Sequence, residues 1–461
     1  MKAVIEIRIE AEGGPYVREV ACVERDGHRL ADIGLSLAES KSLLTAVQKI
    51  VVEHQTAEYL EDRRKCPHCG DARARKGSHT VNLQTLFGNL AIDSPRWGHC
   101  PCQPHEEKTF SPLADLLTEH VAPERLYLEV KWSSLISFEL ATELLKDTLP
   151  VAETINASSV RNHLHRVAQR MEAALGDEQV SFVDGCPRDW AALPRPGAPL
   201  TVGIDGCYVR EWEDKKKNFE VIVGKSTSEE APDRRFGFVQ TYDKKPKRRL
   251  FELLKEQGMQ MNQQVKFFSD GGADIRDMQL YLNPEAEHYL DWFHVTMRIT
   301  VMGQYGKGLK TTAEKREEGL KLLESTKHYL WHGNVARARD KIEDLHCFLD
   351  NEELTGENSR KLRKALDEFD TYIVVNEALI PNYGERWRNE EAIATGFVES
   401  AVNQIVSKRF AKKQQMQWTK KSAHLVLQMR TQVLDERLGE TFRDWYPNFR
   451  TKAENEIKQA A

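Results

Sequence analysis

The spacing of hydrophobic positions changes along the chain, and each change marks a segment. MKAVIEIRIE alternates apolar and polar residues and predicts a strand, while ESKSLLTAVQKIVVEHQTAEYLEDRR repeats its apolar residues at helical spacing. VNLQTLFGNLAIDSPRW alternates again, like a hairpin, and residues 112 to about 177 carry only helical patterns. PRDWAALPRPGAP, residues 187–199, reads as a Pro-rich linker. Beyond it come three short strand-like runs, TVGIDGCYV, NFEVIVGKS and RRFGFVQTYD. An amphipathic helix (KRRLFELLKEQGM), a strand (QVKFFSDGG), a helix (IRDMQLYL) and the apolar run AEHYLDWF follow. That order predicts a sheet with helices on its faces. From about Val295 to Arg388 the pattern is helical and strongly charged, and it is helical again from Ala392 to Phe449. The segments predicted are 1–63, 64–110, 111–186, 187–199, 200–294, 295–390 and 391–461, a multidomain chain of α+β and α/β character.

Composition narrows the class. A chain of 461 residues with 40% hydrophobic and 30% charged residues is expected to form several soluble domains. No run of about eighteen apolar residues is present, so no membrane span is expected. The N-terminal strand pattern is not a secretory leader, and a cytoplasmic location is expected. The net charge of -5 gives no general attraction to nucleic acid, but DNA binding depends on local basic faces. Lys408, Arg409, Lys412, Lys413, Lys420, Lys421 and Arg430 occur in a stretch without acids, and Lys244, Lys245, Lys247, Arg248 and Arg249 form a second cluster. Either cluster alone is also what a solvated helix face looks like.

Of the eight cysteines, Cys66, Cys69, Cys100 and Cys102 are grouped as CPHCG and CPC at the two ends of the expected hairpin. Two tight turns of this kind deliver four thiolates to one tetrahedral zinc ion. The second pair is tighter than the usual Cys-x-x-Cys, so His99 or His105 is an alternative fourth ligand. Further on, FELATELLKDTLPVAETINASSVRNHLHRVAQRM reads as helix, break, helix, with Asn156 or Ser158 as the second cap. Arg161, Asn162, His163, His165 and Arg166 on that second helix are the side-chain types a DNA-reading helix presents.

Three acids carry the candidate chemistry. Asp205 interrupts the apolar strand GIDGCYV and Asp270 ends VKFFSD, each followed by glycine. A buried carboxylate is costly unless a cation meets it, so two such acids at strand ends point to divalent metal. Glu399, in ATGFVESAVNQIVSKR, sits beside the apolar face formed by Phe397, Ala401 and Ile405.

These motifs have a recognisable context. GIDGCYV, KPKRRLFELLKEQGM, FFSDGGADIRDMQLYLNPEAEHYLDWFHVTMR, KHYLWHGN, IPNYGERWRNEEAIATGFVESAVNQIVSKRFAKKQQMQW and RDWYPNF resemble the ISKra-type bacterial insertion-sequence transposases. CPHCG, SPLADLL and LYLEVKWSSLISFELATELL resemble that family too, and the likeness runs through nearly the whole chain. The resemblance implies a DDE transposase: an RNase H-like core with an all-helical insertion, preceded by a zinc-ribbon-like module and a helical DNA-binding region. It places the catalytic, metal-binding triad on Asp205, Asp270 and Glu399, with two Mg²⁺ (or Mn²⁺) ions, and zinc on the four cysteines. Asp291 and His294 in DWFH match the Asp/Cys-x-x-His signature of the related Mutator-like group, which implies a place for His294 at the scissile phosphate. Trp331 and Trp387, in the insertion, are candidates to stack on unpaired bases. Double-stranded DNA is the implied partner, as terminal inverted repeats and target, with Arg161, Arg166, Lys247, Arg248, Lys408, Arg409, Lys412 and Lys413 as candidate contacts. A nucleoid-associated homodimer is expected, because two DNA ends must be joined in one complex. A nuclease without strand transfer, or a DNA-binding regulator without catalysis, is the alternative reading.

Overall fold

The computed structural model describes residues 1–11, 14–27, 29–30, 33–102, 108–351, 354–411 and 417–450. They form a mixed α/β protein with sheets of two, three and five strands. The chain divides into two compact units, Met1–Val167 with the chain from Glu436 on, and Ala168–Asp435.

In the first unit, strand β1 (Lys2–Ala11) pairs antiparallel with β2 (Gly14–Glu24). Helix α1 (Leu37–Arg64) begins at a reciprocal cap, in which Glu39 N–H donates to Ser36 Oγ at 3.2 Å and Ser36 N–H donates to Glu39 Oε2 at 2.8 Å. The expected hairpin is β3 (Arg75–Thr85) and β4 (Gly88–Gly98), extended by the short β5 (Thr109–Phe110). Leu90, Ile92 and Leu113 form a small core there with Val52, Tyr59 and Leu60 of α1. Helices α2 (Pro123–Leu135), α3 (Phe138–Thr148) and α4 (Ala157–Ala174) follow. Asn156 caps α4, accepting from Ser159 N–H at 3.0 Å. Glu129 of α2 is fully buried and bonds both Arg125, at 2.7 Å, and His163 of α4. The division between the units falls inside α4 and not at the expected linker.

In the second unit the end of α4 is followed by the short α5 (Pro187–Ala191), so the segment expected to be open linker begins as a helix with a buried Trp190. Strands β6 (Leu200–Arg210), β7 (Asn218–Thr227) and β8 (Arg234–Val239) form an antiparallel meander. Helix α6 (Pro246–Glu256), strand β9 (Val265–Ser269), helix α7 (Ala273–Leu282) and strand β10 (Glu287–Leu290) complete the sheet. Its order is β10-β9-β6-β7-β8, with β9 parallel to both β6 and β10. Phe267, Val202, Ile204, Phe236 and Phe238 of the sheet pack with Leu250, Leu254 and Leu282 of the helices.

Five helices then interrupt the sheet-and-helix pattern: α8 (Trp292–Lys307), α9 (Ala313–Trp331), α10 (Val335–Asn351), α11 (Glu357–Val375) and α12 (Tyr383–Arg388). They have their own core, built on Trp292, Leu323, Leu330, Ile342, Leu366 and Phe369. The chain returns beside its point of departure, where Trp292 N–H donates to Ile393 O at 3.1 Å. Helix α13 (Gly396–Val402) leads into a π-helical stretch, Asn403–Ala411, and α14 (Lys420–Leu434) lies against β8. The last helix, α15 (Leu438–Trp445), belongs to the first unit: Phe442 packs on Tyr127 at 5.5 Å, and Tyr446 donates to Glu119 at 2.8 Å. No helix among the described residues is long and apolar enough to cross a membrane.

Candidate active site and metal centres

Parallel pairing of β6 with β9 sets Asp205 and Asp270 side by side. Asp205 lies on β6 and accepts from Gly206 N–H at 2.8 Å, while Asp270 follows β9 and accepts from Gly272 N–H at 3.1 Å. Both line a cleft of about 240 Å³ floored by Ile204, Ile222 and Ile275. Gly271, at φ +89°, has no room for a side chain because Asn376 lies against its Cα. The glycine after Asp270 therefore serves the left-handed turn and a close packing contact.

His294 joins the pair from the first turn of α8. Its Nε2 is 3.7 Å from Asp205 Oδ1, and its Nδ1 is 2.8 Å from Asp291 Oδ2. Asp291 is fully buried and caps α8. It accepts from Phe293 N–H at 2.9 Å, from Thr395 N–H at 3.0 Å and from the Thr395 hydroxyl. Burial alone would raise the Asp291 carboxyl, but these donors outweigh it and hold it below the usual range. Burial raises Asp205, and the charges of Asp270 and Asp291 add to the rise, against His294 and the Gly206 amide. The hydrogen bond to Asp291 raises His294, with Asp205 and Asp270 adding to it. The stability that His294 gains from its partners is therefore complete below the ordinary imidazole value of about 6.5 and fades as pH passes the raised one. In the metal-free protein, Asp291→Asn should return the His294 ring titration toward the ordinary value. Ring NMR measures it, and an unmoved titration would contradict the role given to Asp291.

Glu399 stands apart from this group. Its helix packs on the sheet, with Val398 and Phe397 filling the space over Gly203, two residues before Asp205 on the same strand face. The Glu399 side chain is exposed on α13 and does not line the cleft, and among the described residues none of Asp205, Asp270, His294 and Glu399 belongs to a group of three ligand side chains close enough to share one ion. Two acids without a role in the sequence reading do face the cleft. Glu220 of β7 is raised by burial and then by Asp270 and Asp274, and Asp274 in the first turn of α7 accepts from Gln240 at 2.8 Å. The signal for Glu220 was an acid inside the apolar run NFEVIV.

The four grouped cysteines do converge, and they form a possible zinc-binding group. All four Sγ atoms lie within 4.8 Å of one another, with Cys66–Cys102 at 3.5 Å and Cys69–Cys100 at 3.3 Å. Backbone N–H groups of Cys69 and His68 lower the Cys66 thiol to about 6, whereas the shared thiols push Cys102 up. Four sulfurs suffice for a tetrahedral ion without a histidine. His99 stacks on Phe110 at 4.8 Å, and His105 lies outside the described residues.

Glu172, Asp243 and His424 also come together, but a buried Arg249 occupies the middle of the group. Arg249 donates to both Glu172 oxygens at 2.9 Å, to Asp243 at 2.9 Å and to Gln428 at 2.7 Å. A guanidinium in that place leaves no room for a metal ion, so this cluster is an ion-pair network. Burial would raise Glu172, yet His424 and Arg249 hold it at about 2. Its stabilisation is present above about pH 4.3 and is lost as pH falls toward the depressed value. Arg249→Met should cost about 3–5 kcal/mol by stranding two carboxylates. Urea denaturation measures this, and an unchanged midpoint would contradict it.

The candidate DNA contacts divide. Arg161, Asn162 and Arg166 share the exposed side of α4, but His163 is turned inward to Glu129. Lys247 Nζ sits 3.5 Å over the Tyr281 ring, and Arg248 pairs with Glu252 at 2.6 Å and donates to Leu175 O at 3.1 Å. The basic stretch from Lys408 to Arg430 divides among the described residues, with Lys408 and Lys421 exposed and its arginines buried. Arg409 is fully buried against Trp418, Arg430 is buried and donates to Gln404 O at 3.0 Å, and residues Ala423 to Thr431 of α14 are all buried. Burial lowers these two arginines to about 9 and about 10, so Arg409 is a core residue and not a phosphate contact. Lys408 is exposed, while Lys412 and Lys413 lie outside the described residues. Of the two tryptophans, Trp331 packs on Trp292 at 5.2 Å and only Trp387, 64% exposed, is open to a partner.

No protein-family model matches this chain, and no curated protein matches it significantly.

Proposed function

We propose that the protein is a DDE-type DNA transposase of the ISKra type, which cuts DNA at the ends of an insertion sequence and joins the freed ends to target DNA. The observation that carries this reading is that Asp205, in the middle of β6, and Asp270, at the end of the neighbouring parallel β9, line one cleft, with His294 of α8 3.7 Å from Asp205. Two features support it further. The strand order, with an antiparallel meander on one side of β6 and parallel strands on the other, suits the RNase H-like core that the reading requires. The helical segment from α8 to α12 falls between the second Asp and the Glu, as the family resemblance implies.

The cleft suits a divalent cation. Asp205, Glu220, Asp270 and Asp274 line it, and burial and mutual repulsion raise Asp205 and Glu220, an imbalance that a hard cation with oxygen ligands relieves. Bound Mg²⁺ or Mn²⁺ would supply the charge that stabilises the attacking and leaving oxygens of phosphoryl transfer. Asp205 and Asp270 would hold it, and Glu399 would complete the set when α13 adjusts over the bound DNA. His294, oriented by Asp291 and with its pKa raised by that hydrogen bond, would donate from its other ring nitrogen to a phosphate oxygen beside Asp205. The cysteine module, with zinc, and the exposed side of α4 would bind the terminal repeats, Arg161 and Arg166 supplying charge. A homodimer would hold both ends.

The test uses a supercoiled plasmid carrying the gene with its own flanking DNA, incubated with purified protein and Mg²⁺. Transposition predicts cuts at reproducible flanking positions and joined products. Cuts without joining would favour a nuclease on the same fold, and binding without cuts would favour a regulator.

A further inference from the structure

We infer that Arg298, held on the ring of Tyr372, is a binding site for a backbone phosphate next to the carboxylate cleft, contributed by the helical insertion. This rests on the reading of the cleft as a DNA-processing site. Arg298 lies four residues after His294 on α8, hence on the same face and about 6 Å further along the helix. Its guanidinium sits 4.2 Å from the centre of the Tyr372 ring, a face-on cation–π contact. The arginine is exposed, and it forms no ion pair among the described residues.

That is an unusual place for an unpaired cation, because the acids are close by. Burial raises the Tyr372 hydroxyl, and the charges of Asp270 and Asp291 raise it further while Arg298 opposes them. The end of α11 thus reaches the cleft, and Asn376, just beyond it, packs over the glycine that follows Asp270. Asn376 is buried to 4% exposure and donates to Tyr372 O at 2.9 Å, which ties the end of α11 to that glycine. A cation parked on an aromatic platform near an acidic cleft is what an anionic ligand would complete. A phosphodiester is the ligand whose charge fits: the guanidinium presents several donors to it, and the aromatic ring fixes their plane. Tyr372 acts by positioning Arg298.

Binding of a fluorescein-labelled 30-base-pair duplex from the gene's flanking DNA, titrated in Ca²⁺ at several salt concentrations, tests this. Arg298→Gln should weaken affinity by about tenfold and flatten the salt dependence by about one unit, with thermal stability unchanged. Tyr372→Phe, which keeps the platform, should bind as the wild type does and melt no lower. Tyr372→Leu should bind like Arg298→Gln. A wild-type salt slope in Arg298→Gln would overturn the inference, and so would a Tyr372→Leu variant that binds normally. If the wild type cuts and joins DNA while Arg298→Gln keeps the wild-type slope, the phosphate site falls and the transposase reading stands. If the slope flattens but no cleavage occurs in Mg²⁺ or Mn²⁺, the phosphate site stands and the enzymatic reading falls.

Discussion

Asp270→Asn should reduce Mg²⁺-dependent cleavage by about a thousandfold, roughly 4 kcal/mol of transition-state stabilisation, without weakening DNA binding. The asparagine keeps the volume of the carboxylate and its bond from Gly272 N–H, so the turn after β9 should survive. What it loses is the charge that holds a cation. Because Asp270 also repels Asp205, the variant should carry less negative charge toward a phosphate, and its DNA affinity should equal or slightly exceed the wild type. Asp205→Asn should behave alike. Gel assays of cleavage and binding on the same duplex separate the two effects. Robust cleavage by Asp270→Asn in Mg²⁺ would remove the metal site from the mechanism.

The second large effect concerns zinc. Among the described residues the hairpin module buries few large apolar side chains, Leu90, Ile92 and Trp97 with Leu113 beside them, so a metal would do much to hold its ends. The purified protein should carry about one zinc per chain. Cys66→Ser with Cys69→Ser should release it, loosen the module and weaken binding to the element's ends. Cys66 is lowered to about 6, but Cys69 and Cys102 are raised, so zinc must displace protons from them and its affinity should climb with pH. Elemental analysis and a chromophoric zinc-release titration measure both. A protein purified without chelators that holds no zinc would mean four ordinary thiols.

The sheet of the second unit was legible because its strands are short apolar runs bounded by turn residues, and each strand from β6 to β10 falls where the pattern placed it. The pairing of Asp205 with Asp270 followed, since both acids interrupt or end apolar runs. Local pattern failed where tertiary packing decides. PYVREVACVE breaks strict alternation at Val20-Ala21-Cys22-Val23, so β2 becomes visible only through its pairing with β1. Charge in one dimension gave no warning that Arg249, Arg409 and Arg430 are buried, because an arginine inside a core reads the same along the chain as one on a DNA face. The helix bearing Glu399 reads as continuous, but α13 passes into a wider π-helical stretch that turns Arg409 inward while Lys408 stays exposed. Hydrophobic spacing at three and four does not distinguish the two geometries.

The central claim is that Asp205 and Asp270 hold catalytic divalent metal. Its most direct test is a crystal of the protein with element-end DNA grown in Mn²⁺ and measured at the manganese absorption edge. Anomalous density is expected between Asp205 and Asp270, with Glu399 drawn in as a further ligand. Manganese bound elsewhere, with that cleft empty while DNA is in place, would contradict it.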